Sequence, residues 1–165
     1  MSQAIHFLAE STVAELLAGI LGRQVTVTKA PPMNLKLKAP RVCGVYRDRE
    51  KPITCLCICD LPLSVYAAGA MLSFPGCTIN DSLRAGKVDE ALVDTVREIL
   101  NICAQLFNDY SHQVFHQLYT ESEGLPQDAA SVFGRPAARL DLKVSIAGYG
   151  AGQMALLIGD VNEGN

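Results

Sequence analysis

The side chains best placed to do chemistry lie in residues 88–110, VDEALVDTVREILNICAQLFNDY. At about 100° per residue, Asp94, Glu98, Asn101, Gln105 and Asn108 follow one another at spacings of 4, 3, 4 and 3 and line up on one face of a helix. Leu92, Val96, Ile99, Leu100, Cys103, Leu106 and Phe107 gather on the opposite, broad apolar face. The chain offers no recognisable nucleophile motif. The stripe offers carboxylates for a cationic partner and, at Asn101, an amide that donates and accepts hydrogen bonds, which can fix a water without itself titrating. Any solvated helix face is polar, so the informative feature is the ordered pattern Asp94-x-x-x-Glu98-x-x-Asn101.

Other constellations point to structure and not to chemistry. His112 and His116 share a face, but His6 is distant in sequence and no third metal ligand is obvious. Cys55, Cys57 and Cys59 alternate along one strand, so they point to one face and cannot readily bridge each other. Leu56 and Ile58 fill the other face, which makes buried, reduced thiols in a central strand the expectation. Gly148-x-Gly150-x-Gly152 joins two strands and opens no helix, as a tight hairpin would and a phosphate loop would not. Ser64 and Ser73 lack the glycine-flanked setting of a hydrolase nucleophile.

The elements that must position the stripe follow from periodicity. A helix is expected from about residue 5 to Leu21, with Gly22 ending it, then strands at Val25–Thr28, Arg41–Arg47 and Pro52–Cys59. Asp60 and Pro62 open a second helix that runs to about Ser73 and is closed by Pro75-Gly76. Residues 76–87 read as a loop with one helical turn, and the long helix then spans 88–110. Val114–Glu121 reads as a strand, residues 124–136 as an irregular connection with a helical turn around Ala129 to Phe133, and Leu140–Ile146 and Met154–Ile158 as a closing hairpin. In Leu140–Ile146 the alternation puts Asp141, Lys143 and Ser145 on the polar face. Strands and helices alternate too little for a doubly wound sheet. The expected class is α+β: a mostly antiparallel sheet of about six strands covered by helices, with one long central helix.

Composition sets the frame. The chain of 165 residues is 49% hydrophobic and 19% charged, as a single domain over 1–165 would be, with residues 160–165 expected to fray. No internal repeat or linker marks a second unit. A net charge of −3 without a basic cluster argues against nucleic acid. No apolar run is long enough to span a bilayer, and no basic segment precedes an apolar core near the start, so a cytoplasmic protein is expected.

The pattern Asp94-x-x-x-Glu98-x-x-Asn101 resembles the signature of the CheC/CheX family of chemotaxis phosphatases: Ser or Asp, Glu four residues on, Asn three further. The order and length of the elements are similar to a single-site, CheX-like member across most of the chain. The resemblance implies docking to a CheY-like response-regulator receiver and hydrolysis of its aspartyl phosphate. Asn101 would orient the attacking water and Glu98 would pair with the receiver's lysine, with Asp94 and Gln105 in the partner-binding surface. It implies no cofactor of the chain's own, since Mg²⁺ would come with the receiver, and a homodimer formed through the sheet. Two positions depart from the family pattern: Leu100 stands where glycine usually precedes the Asn, and the proline that follows is displaced to Pro126. Leu100 falls about 120° from the stripe, on the apolar side, and is expected to alter helix packing and not docking. The alternative keeps the fold without the enzyme, as a non-catalytic CheX-like binding or adaptor domain in two-component or chemotaxis signalling.

Overall fold

The two apolar faces of the Cys55–Cys59 strand require cover on both sides of a sheet, and the chain supplies it. A computed structural model describes residues 7–108, 110–120 and 124–160. In chain order these form α1 (Glu10–Leu21), β1 (Val25–Lys29), β2 (Arg41–Asp48), β3 (Thr54–Asp60), α2 (Leu61–Leu72) and α3 (Gly76–Ala85). There follow α4 (Glu90–Ile102), a 3-10 segment (Cys103–Phe107), β4 (Gln113–Tyr119), α5 (Gln127–Gly134), β5 (Ala138–Ile146) and β6 (Gly150–Ile158). The sheet order is β1-β5-β6-β3-β2-β4, and every neighbouring pair is antiparallel. The expected α+β architecture is the one observed.

Strand alternation divides the interior into two layers. Tyr46, Cys55, Cys57, Cys59, Leu142, Val144, Met154, Leu156 and Ile158 face α1, α2 and α4 in the larger core. Cys43, Val45, Leu56, Ile58, Ala155 and Leu157 face the back, where Ala129 and Val132 of α5 cover them. Helix α2 is held at its start by Asp60, whose carboxylate accepts from the backbone N–H of Leu63 (2.9 Å) and of Gln153 (3.0 Å). A Cβ on Gly152 would lie 2.5 Å from the Leu63 nitrogen, so only glycine allows β6 to approach this helix start.

The topology contains a symmetry that the sequence does not display. Exchanging β1, β2 and β3 for β4, β5 and β6 turns the strand order into its own reverse, with the β3–β6 pair at the centre. Each half begins with a helix, α1 or α4, followed by its three strands in sequence. The two helices therefore occupy equivalent places on one face of the sheet.

Four expectations need correction. The long helix over 88–110 is a shorter α-helix, Glu90–Ile102, continued by a 3-10 segment. Residues 76–87 hold a helix of ten residues, α3, because Pro75 stands at its N-cap and does not close the preceding one. Around the helical turn expected near Ala129–Phe133, residues 127–134 form a helix of eight residues, α5, longer than one turn. The first helix, expected from about residue 5, begins only at Glu10: residues 7–9 are described and not helical, with Ala9 at the N-cap, while residues 5–6, like 161–165 of the expected fraying, lie outside the described part of the chain.

Candidate functional site on helix α4

Helix α4 starts where the sequence supplies a cap. Asp89 accepts from the Ala91 N–H at 2.9 Å, and Glu90 places negative charge in the first turn, where the helix dipole favours it. The inner face is fixed by burial: Leu92 is 0% exposed, Val96 4%, Ile99 6% and Leu100 1%. Cys103 and Leu106 continue this buried line into the 3-10 segment. A helix locked in this way presents its outer side chains on a rigid base.

The outer side chains are those the sequence singles out. Asp94, Glu98, Asn101 and Gln105 are all exposed. Glu98 and Asn101 stand one turn apart on the same face, a spacing that brings Cβ atoms to about 5–6 Å. Neither side chain has a hydrogen-bond or ionic partner among the described residues. Asp94 differs, since its carboxylate holds Arg97 at 2.7 Å. Both members of that pair are open to solvent, so the bond is weak and readily exchanged for another. Arg97 was not legible as part of the site, although its place three residues after Asp94 is the signal that finds it.

Gln105 is less closely joined to the group than an unbroken helix would make it. Beyond Ile102 each residue turns about 120° and not about 100°, so Gln105 is carried roughly 60° round from the Glu98–Asn101 line. It borders the surface and does not extend the stripe.

Leu100 explains itself through its neighbours. Its side chain packs over Gly44 of β2, where an added Cβ would lie 3.3 Å from Leu100 Cδ1 and 3.0 Å from Tyr46 Oη. A strand glycine thus makes room for the bulk that the helix carries. As expected, Leu100 lies on the buried, apolar side of α4, away from Glu98 and Asn101. The Tyr46 ring fills the space beside it, packed against Phe107 (centroids 5.1 Å apart) and Phe115 (5.6 Å).

The equivalent helix lacks the amide. Matching buried Val13 and Leu17 of α1 to buried Val96 and Leu100 of α4 sets Glu15 against Glu98 and Ala18 against Asn101. Of the two related faces, only that of α4 carries an asparagine at this position.

The remaining candidates do not gather into sites. Cys55 and Cys57 are 0% exposed and Cys59 6%, all three free. Burial pushes the thiols of Cys43 and Cys55 up to about 12, and the Cys103 and Cys59 thiols together with burial push that of Cys57 well up. His112 and His116 are exposed, and among the described residues no three His, Cys, Asp or Glu are placed to hold a metal ion. No helix among them is long and apolar enough to cross a membrane.

No protein-family model matches the sequence, and no curated protein matches it. Solved structures do match the fold. FliM in the FliM–SpeE complex from H. pylori superposes with a TM-score of 0.58 at 10% identity, over 91% of this chain and 81% of that one. FliY from Thermotoga maritima gives 0.53 at 14% identity, over 92% and 89%. A candidate chemotaxis protein from Desulfovibrio vulgaris Hildenborough gives 0.50 at 10% identity, over 90% and 92%. The chain thus has the same α+β fold as FliM, FliY and this chemotaxis protein.

Proposed function

We propose that this protein docks a phosphorylated, CheY-like receiver through α4 and hydrolyses its aspartyl phosphate. The observation that carries the reading is the pair Glu98 and Asn101, exposed, unpartnered among the described residues and adjacent on a helix whose other face is buried. Hydrolysis of an acyl phosphate needs a water in line with the bond to the leaving carboxylate, and little covalent chemistry from the catalyst. Asn101 holds that water with one donor and one acceptor, neither of which titrates. Water adds to phosphorus, the P–O bond to the aspartyl group breaks, and inorganic phosphate leaves a free carboxylate. Glu98 pairs with the receiver's lysine and sets the register of docking, while Asp94 extends the contact and Gln105 borders it. The Mg²⁺ of the reaction belongs to the receiver, and the chain brings no cofactor of its own. Action on such a receiver places the protein in the cytoplasm, and pairing through the sheet makes it a homodimer, which sedimentation would test.

The deciding experiment follows loss of phosphate from phosphorylated receivers encoded in the same genome, with and without the purified protein. Acceleration that disappears in Asn101→Ala supports the phosphatase. Absence of acceleration with every such receiver removes it.

A second reading, a binding module without catalysis, is favoured by one observation. FliM, whose fold this chain has, stands in complexes with SpeE and with FliG, the latter matching at a TM-score of 0.55. Binding to a receiver through the α4 face without faster phosphate loss is the result that selects it.

A further inference from the structure

The α-helix of α4 ends at Ile102, one residue beyond Asn101. Carbonyls in the last turn of an α-helix lack a partner four residues ahead, and a buried one must find a donor elsewhere. For Leu100, the residue directly before Asn101, that donor comes from across the core. The hydroxyl of Tyr46 in β2 donates to the Leu100 carbonyl at 2.5 Å, with Tyr46 0% and Leu100 1% exposed. The aim of Tyr46 is set by its surroundings. Gly44 leaves the space in which the hydroxyl sits, Phe107 and Phe115 hold the ring, and the β2–β4 register shifts between Val45 and Tyr46. Such irregularities re-aim side chains relative to a regular ladder.

We propose that Tyr46 is a positioning residue for the reaction assigned to α4: its hydroxyl caps the helix at Leu100 and so fixes the backbone from which Asn101 projects. The inference rests on the phosphatase reading for its kinetic consequence, but the cap itself does not. Tyr46 touches neither receiver nor water; it acts through the Leu100 carbonyl. Burial holds the phenol well above its ordinary titration range, so it stays a donor throughout the neutral region.

Tyr46→Phe removes the hydroxyl and keeps the ring. With a phosphorylated receiver, turnover is expected to fall about tenfold or more while receiver affinity changes less than about twofold, because only the orientation of Asn101 loosens. Val13→Ala, a core truncation in α1 remote from Leu100, serves as the control for lost stability and is expected to leave both values unchanged. Amide hydrogen exchange over residues 101–105 supplies a readout that needs no receiver, and it should quicken in Tyr46→Phe and not in Val13→Ala. Undiminished turnover in Tyr46→Phe, an equal loss in Val13→Ala, or unchanged exchange at the end of α4 each overturns the proposal. If the wild type proves inactive on all receivers, the phosphatase reading falls, and the exchange result still decides whether Tyr46 holds the helix end.

Discussion

Asn101 and Glu98 differ in what their removal should cost. The Asn101 amide is exposed and without a protein partner among the described residues, so Asn101→Ala disturbs nothing in the fold and should shift stability by less than about 0.5 kcal/mol. Turnover on a phosphorylated receiver should fall about a hundredfold or more, with affinity nearly unchanged, because the amide contributes water positioning and little docking energy. Glu98→Ala should weaken affinity and turnover together, since a charged contact contributes to both, and added salt should reduce the wild-type advantage. Stopped-flow phosphate release and a binding isotherm separate the two cases; matching losses of affinity in both variants would contradict the assigned roles. The thiols give a second test at this scale. Cys77 alone among the six cysteines is exposed, whereas Cys43, Cys55, Cys57, Cys59 and Cys103 are buried. A native protein should therefore react quickly with a disulfide reagent at one thiol, and at five more only after unfolding. Fast reaction of several thiols would contradict the buried central strand.

At the level of elements, local pattern was legible and long-range contact was not. The 3.6-residue period fixed the inner and outer faces of α4, because Leu92, Val96 and Ile99 must reach the core and this turns Glu98 and Asn101 outward. Its end was not legible, since the cap on Leu100 comes from Tyr46, 54 residues earlier in the chain. Helix α3 reads as a loop in the sequence because it buries little beyond Ile79 and Ser82, leaving a weak apolar signal behind a Pro-Gly pair. Alternation placed Asp141 correctly on the face opposite Leu142, but not in solvent. The segment after β1 covers it, and its carboxylate accepts from Arg139 (2.7 Å) and the Met33 N–H (3.0 Å), leaving it 8% exposed. A strand's period tells which face a residue takes and not what lies over that face. The Gly44–Leu100 contact gives an element-scale prediction. Gly44→Ala should cost about 1–3 kcal/mol, because the new methyl meets both Leu100 and Tyr46 in a filled space. Leu100→Ala alone should cost about 2–5 kcal/mol through the cavity it leaves. The double variant should cost less than the sum, since the one change makes room for the other. Additive losses in denaturant unfolding would show that the two residues are not coupled.

The site lies on one face of the sheet, and the opposite face adds an ion pair to the apolar cover that Ala129 and Val132 supply. Helices α1, α2 and α4 cover one side of the sheet through apolar contact, and α5 is tied to the other by Asp128, which accepts from Arg47 (2.9 and 3.1 Å) and from the Thr54 hydroxyl (2.8 Å). The Arg47 guanidinium holds the Asp128 carboxyl down at about 2, against 3.8 for an ordinary aspartate. A carboxyl depressed in the folded state contributes stability that is present above its unfolded value and lost as pH falls through the folded one. That window runs from about pH 4 to about pH 2. Arg47 and Asp128 are each a little over a third exposed, so solvent screening reduces the contribution to about 1 kcal/mol. Asp60 works in the opposite sense: burial raises its carboxyl, so acid relieves a cost there and partly offsets the loss at Asp128. A single variant isolates the Asp128 part. Asp128→Asn should be less stable than the wild type at pH 6, and the gap in unfolding free energy should narrow by about 1 kcal/mol by pH 2, where the wild-type carboxyl is itself about half protonated. Because α5 and α4 lie on opposite faces of the sheet, receiver affinity and turnover at pH 7 should stay within about twofold of wild type. A gap that is constant from pH 6 to pH 2 would remove Asp128 as the acid-sensitive tie, and a large loss of turnover would show that the back of the sheet governs the front.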